Sequence, residues 1–240
     1  MILLYENIFD CPEEIEAAKK AGFKILEFDI KTCWAGNLPS EPFIFRGSVE
    51  GLAWLDRMDH PYYCKTSTLK EYSVSNYYNY FDDRFLNNDF ILLPAGKLKE
   101  SKDFLFNAFG GDRLFVKPND GDKLFTGTYV SKKWYEKDIN VIFFDLARKD
   151  VMLNDLLVVS SYKDVGDETR YVVCDGKIVS DLEYPDWVVD LLFDANMLDT
   201  FYTVDISGEK IVEINSMSCS GFNDSFEKVY RELYAYYSQE

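Results

Sequence analysis

Residues 202–221, YTVDISGEKIVEINSMSCSG, constrain the chain more than any other stretch. Two β-like runs flank Ser207-Gly208, a dipeptide suited to the tight turn of a hairpin. Glu213 and Asn215 are two apart on the second run, so the strand period puts both on one face. Asp205, on the first run, joins them if the hairpin register brings it opposite. Two carboxylates and an amide oxygen converging on one point suit a hard cation such as Mg²⁺. The same pattern also describes the solvated face of an ordinary amphipathic hairpin. The stretch alone leaves both readings standing.

The remaining composition narrows the choice of class. A chain of 240 residues with 47% apolar content can bury a proper core in one large or two small domains. Its net charge of -16 argues against sequence-independent nucleic-acid binding and against an anionic membrane surface. Five cysteines (Cys11, Cys33, Cys64, Cys174, Cys219) lack CxxC spacing and read as reduced thiols rather than a disulfide frame or zinc site. With His60 the single histidine, a histidine-rich metal site is excluded. The N-terminal MILLYENIFD has no basic n-region of a signal peptide, and no apolar run approaches the ~20 residues that span a bilayer. The expectation is a soluble, cytoplasmic protein.

From the N-terminus, residues 2–5, 24–30 and 42–46 read as strands. Residues 12–20 form a helix with Pro and two acids at its start, two lysines at its end and Gly22 beyond. Strand–helix–strand at this spacing predicts a small parallel α/β unit. Arg46-Gly47-Ser48 closes its third strand, where open α/β sheets place ligand loops. Arg46 is there a candidate contact for a substrate carboxylate, with a structural salt bridge as the alternative. The stretch from Leu52 to Phe90 is rich in aromatics and reads more readily as core than as a stacking surface.

A second region begins near Ile91. Residues 99–109 predict a helix stopped by Gly110-Gly111. In LFVKPNDGDKLFTGTYV, residues 114–117 and 124–130 read as paired strands around a polar loop. Lys117 and Lys123 flank that loop, and Gly127 leaves room for close backbone approach. Such a loop can cover a polyphosphate with N–H groups and ammonium charges, or be an ordinary charged hairpin. LLVVSSY then predicts a strand, and ETRYVV places Glu168 and Arg170 on one face of another. Residues 186–198 have helical apolar spacing, and 222–238 predict a terminal helix.

In order and spacing these segments resemble the ATP-grasp superfamily across residues 114–223. The pieces that carry the likeness are FVKP with its glycine-bearing loop and KLFTG, ETRYVV with CDGKIV, and VDI followed by VEIN. The phage-associated branch, with its Lys-Pro, Gly-Asp-Lys and Phe-Thr-Gly pattern, looks most similar. The resemblance implies an α+β ATP-grasp fold, with two α+β subdomains clasping ATP. It sets residues 1–90 apart as a small α/β pre-ATP-grasp-like domain. Residues 91–240 then form the grasp, in subdomains of about 91–158 and 159–240. It implies Lys117 and Lys123 on the phosphates, with residues 120–127, including Gly121, Thr126 and Gly127, as a lid. Ser160 and Ser161 would form the hinge along the adenine, although the acid common at that hinge is missing. Glu168 would lie on the metal or nucleotide side, and Arg170 on the γ-phosphate or acyl-phosphate. Asp205, Glu213 and Asn215 match the Mg²⁺ ligands, and residues 216–221, with Ser218 and Gly221, would border the substrate.

The activity implied is an ATP- and Mg²⁺-dependent ligase joining a carboxylate to an amine or thiol through an acyl-phosphate. A peptide or protein is among the candidate substrates, in host cytoplasm if the chain is phage-encoded. The alternatives are a nucleotide-binding regulatory or inhibitory protein without turnover, and a kinase that stops at phosphoryl transfer.

Overall fold

Pro12 sits in the first turn of a helix and Gly22 follows its last, and the computed structural model has α1 (Pro12–Ala21) between them. Gly22 takes φ 108°, and its N–H reaches the Ala18 and Lys19 carbonyls, a left-handed cap that glycine adopts without strain. The structure describes residues 1–8, 10–32, 35–121, 124–148, 153–192, 200–223 and 225–238. β1 (Ile2–Tyr5) lies between β2 (Lys24–Glu27) and β3 (Phe43–Arg46), parallel to both, as strand–helix–strand spacing predicts. β1 is apolar throughout because both of its faces are covered. Ile2 and Leu4 pack with Leu52 and Leu55 of α2 (Val49–Met58). Leu3 and Tyr5 pack with residues from the C-terminal third of the chain.

The aromatic stretch supplies α3 (Val74–Phe81), whose Tyr77, Tyr78 and Phe81 are core residues. The second sheet runs β4 (Phe90–Pro94), β7 (Leu156–Ser161), β5 (Arg113–Pro118), β6 (Thr128–Ser131), antiparallel throughout. One face, with Leu114, Val116, Leu157 and Val159, packs against α4 (Lys102–Phe109) and α5 (Tyr135–Arg148). Directly paired residues share a face, so Phe115 with Ser160 and Lys117 with Val158 occupy the other.

The third sheet runs β11 (Lys210–Ser216), β10 (Phe201–Ser207), β8 (Glu168–Cys174), β9 (Lys177–Ile178), again antiparallel. α3 packs on it through Val204, Ile206 and Ile214, and also meets Val158 of the second sheet. α7 (Phe226–Tyr237) joins this sheet to the N-terminal one, its Val229, Tyr230 and Leu233 sharing a core with Leu3, Ile44 and Phe201. α6 (Asp186–Leu192) starts where the apolar spacing predicts, and the rest of that expected helix lies outside the described residues. The sequence reading had no counterpart for α2, α3 or α5. No helix among the described residues is long and apolar enough to cross a membrane.

Candidate functional site

The hairpin register decides whether Asp205 meets Glu213 and Asn215. Ser207 pairs with Lys210 and Ile206 with Ile211 around Gly208, which takes φ 56°. Continued without interruption, that register would set Asp205 opposite Val212, and Glu213 and Asn215 would face the other way. The pairing instead shifts between Asp205 and Ile206, so Asp205 faces Glu213 and Thr203 faces Asn215. Val212 is the extra residue, a β-bulge of the kind that re-aims side chains beside functional sites. The three polar side chains therefore converge. Asn215 Nδ2 donates to Glu213 Oε2 at 3.0 Å and lies 3.5 Å from Asp205 Oδ2.

Arg170 enters from β8, directly opposite Asp205. Its Nε and Nη2 donate to the two Asp205 oxygens, each at 2.7 Å. That hydrogen bond, then the charges of the surrounding acids, hold the guanidinium still more firmly protonated. Glu168 is pushed above its ordinary carboxyl value, first by burial and then by the charges of Asp205 and Glu213. The donor set of two carboxylates and an amide suits Mg²⁺ by its chemistry. As it stands, the charge of the cluster is balanced by Arg170 and by the Asn215 amide N–H groups. No group of three or more His, Cys, Asp or Glu able to hold a metal occurs among the described residues.

A cleft of about 390 Å³ opens beside this cluster, between the second and third sheets. Lys117, Gly121, Thr126, Gly127, Glu168, Glu213 and Asn215 all line it. Lys117 is buried, and its Nζ donates to Tyr77 Oη at 3.2 Å. A Cβ on Gly127 would come within 2.6 Å of the Phe115 ring and 3.3 Å of Lys117 Cβ, so the loop lies close on β5. Lys123 lies outside the described residues.

Other expected positions fall elsewhere. Ser160 and Ser161 do not line the cleft; Ser160 is buried, its Oγ donating to the Ser161 carbonyl at 3.3 Å. The chain enters the cleft two residues later, at Lys163 and Val165. An acid reaches the chain just after this strand, but from far away in sequence. Asp89 pairs with Lys163, and although burial pushes its carboxyl up, hydrogen bonds from Lys163 and Ser161 outweigh that and hold it below its ordinary value.

Arg46 is 3% exposed and is committed to the alternative of a structural salt bridge. Its Nε donates to Glu14 Oε1 at 2.6 Å, Nη1 donates to the Met217 and Ser218 carbonyls, and the guanidinium covers the Phe222 ring at 4.2 Å. Ser218 is equally buried, its hydroxyl bonded to Thr66 and its carbonyl accepting from Gly47 N–H. Burial removes both side chains from substrate reach; they brace the loop that follows Asn215. Gly221 remains beside the site, where an added Cβ would stand 3.9 Å from Arg170 Nη1.

Tyr77, Asn87, Lys163 and Val165 line the cleft without having been singled out from sequence. Lys163 and Val165 lie within three residues of the strand segment LLVVSSY. No local pattern marks Tyr77 or Asn87.

No protein-family model matches the chain, and no curated protein matches it. Solved structures do. D-cycloserine synthetase DcsG aligns at TM-score 0.70 and 15% identity, over 98% of this chain and 99% of its own. A RimK domain protein ATP-grasp from Sphaerobacter thermophilus DSM 20745 aligns at 0.71 and 11%, over 98% and 99%. The ATP-grasp ligase PsnB, complexed with minimal precursor, Mg and ADP, aligns at 0.58 and 12%, over 100% and 98%. The fold is therefore that of ATP-grasp ligases along nearly the whole chain, as the sequence resemblance implies.

Proposed function

We propose that the chain is an ATP- and Mg²⁺-dependent ligase that activates a carboxylate as an acyl-phosphate and transfers it to an amine or thiol. The observation that carries this reading is convergence. A buried lysine, a close-lying glycine loop and the Asp205–Glu213–Asn215 cluster meet at one cleft in a fold shared with ligases. Phosphoryl transfer depends on positioning and charge neutralisation more than on covalent help from the protein. Lys117 supplies a fixed positive charge for the phosphates, with Lys123 its partner on the loop. Gly121, Thr126 and Gly127 bring backbone close enough to cover them. Lys163 and Val165 take the hinge role that sequence gave to Ser160 and Ser161, with Asp89 as the hinge acid. Asp205, Glu213 and Asn215 would hold Mg²⁺, with Glu168 beside them; when bound, the ion neutralises phosphate charge. Arg170, once released from Asp205, is placed to meet the transferred phosphoryl group or the acyl-phosphate, and Gly221 leaves the adjoining space open.

We divide the chain into residues 1–90 as the preceding domain and 91–240 as the grasp, and set it nearest the phage-associated branch, acting in cytoplasm. The complex of PsnB with its minimal precursor makes a peptide or protein end the first substrate class to try. The test is substrate-dependent ADP release across a panel of carboxylates, amines and peptides, with ligated product read by mass spectrometry. Lys117→Ala and Asn215→Ala should each abolish it; undiminished turnover in both would overturn the reading. A second reading, nucleotide binding without turnover, draws on the complete engagement of Asp205 by Arg170. Tight ATP binding with no ADP formed over the whole panel would favour it.

A further inference from the structure

We infer that Tyr77, on a helix outside the ATP-grasp motifs, is a positioning residue that holds the Lys117 ammonium at the phosphate end of the cleft. The inference rests on the function proposed above. A lysine head group swings on four carbons, and freezing those rotamers opposes any ligand it must meet. Lys117 is held in advance. It is 6% exposed, its Nζ donates to Tyr77 Oη at 3.2 Å, and it lies 5.7 and 5.4 Å from the Tyr77 and Tyr78 ring centres. The Tyr78 ring offers a face that attracts a cation, while Tyr77 contributes its hydroxyl oxygen. Tyr77 is itself buried within a cluster that spans the second and third sheets, and it also lines the cleft. Burial, and then the negative charge of Glu213, keep its phenol neutral, so it accepts from the ammonium without cancelling its charge.

The same helix is tied to the loop that follows Lys117. Asn119, two residues on, accepts from Val74 N–H through its carbonyl at 2.7 Å and from Ser75 N–H through Oδ1 at 2.9 Å. Gly121 lies so close to the turn before α3 that a Cβ would stand 2.6 Å from the Leu69 carbonyl oxygen. The segment from Leu69 to Tyr78 is thus the surface against which both the lysine and the base of the loop are set.

The experiment is an affinity ladder of adenosine, AMP, ADP and ATP with Mg²⁺, measured by calorimetry on the full chain. Wild type is compared with Tyr77→Phe, and with Tyr202→Phe, which removes a buried hydroxyl of the same core that has no hydrogen-bond partner among the described residues. Tyr77→Phe should weaken ADP and ATP about tenfold, the scale of one hydrogen bond to a charged group. It should leave adenosine unchanged, and Tyr202→Phe should match wild type throughout. A Tyr77→Phe ladder parallel to wild type would overturn the inference and leave the proposed function intact. Equal loss at every rung, adenosine included, would make the residue merely structural and also overturn it. Wild type that binds no nucleotide would remove the proposed function and the inference together. Should Tyr77→Phe be poorly folded, Tyr77→Trp and Lys117→Met with their double variant give a cycle: additive losses of ATP affinity overturn the coupling, non-additive losses support it.

Discussion

Arg170 and Asp205 face one another across β8 and β10 and share two parallel hydrogen bonds of 2.7 Å. This fork-to-fork pairing is the strongest geometry available to a guanidinium and a carboxylate. It also occupies both oxygens that Asp205 would offer to a cation. The chain therefore carries an internal counter-ion for its own acidic cluster, and the cluster can persist without metal despite three neighbouring carboxylates.

Removing that counter-ion should expose the competition. Arg170→Gln should bind Mn²⁺ in the absence of nucleotide about tenfold more tightly than wild type, a loss of about 1.4 kcal/mol of competing interaction. Water-proton relaxation reads Mn²⁺ binding directly. The same variant should lose ATP turnover, because the proposed contact to the transferred group goes with it. Unchanged or weaker Mn²⁺ binding would mean that the pair does not compete with the ion.

Two glycines make a contrasting prediction about the loop. At Gly121 a Cβ would meet backbone, 2.6 Å from Leu69 O, and stand 2.9 Å from the Tyr72 Cβ, so the loop must move. At Gly166 the nearest atom is Ser207 Oγ at 3.7 Å, an ordinary contact. Gly121→Ala should cost about 1–3 kcal/mol in urea unfolding, the usual penalty of overpacking, and raise the KM for ATP. Gly166→Ala should do neither.

The buried pair in the N-terminal unit gives a prediction about stability. Glu14 and Arg46 are 1% and 3% exposed, with Tyr230 Oη donating to the same Glu14 oxygen at 2.8 Å. Glu14→Ala leaves a guanidinium buried without its counter-charge, which costs about 3–5 kcal/mol. Tyr230→Phe removes one hydrogen bond and should cost about 1–2 kcal/mol. Denaturant titration separates the two. Because Arg46 also grips the Met217 and Ser218 carbonyls, Glu14→Ala should lower the activity proposed above as well, from a distance.

Sequence made the site legible where its chemistry is local. Glu213 and Asn215 share a face by the two-residue period, and Lys117 with Gly127 follows from one strand and its loop. The register of Asp205 was not legible, because it depends on a bulge at Val212 that no residue type announces. Tyr77 and Asn87 arrive through tertiary packing, so their sequence neighbours say nothing of the cleft. α5 is a different case. Its buried Tyr135, Ile139, Ile142 and Leu146 recur at helical spacing, so its signal lies in the sequence itself. At Arg46 the residue type was compatible with two roles, and only burial separates a buttress from a substrate contact.

Asp56 supplies a pH-dependent prediction away from the cleft. Burial pushes its carboxyl above the ordinary value, against the pull of Lys65 and a hydrogen bond from the Leu69 backbone. Lys65 Nζ stands 3.9 Å from Oδ1, too far for a hydrogen bond, so the charge is poorly compensated. A raised carboxyl means that the folded chain holds this proton more tightly than the unfolded one. Its contribution is then full below the unfolded pKa of about 3.9 and is lost as pH rises through the folded value. Asn cannot ionise, and its amide oxygen can still accept from Leu69. Asp56→Asn should therefore melt above wild type at pH 7.5, with the gap closing as pH falls through the ordinary Asp range. Calorimetric scans across that range check it; a variant less stable at pH 7.5 than at pH 4, relative to wild type, would reverse the sign and show that the pull of Lys65 outweighs burial.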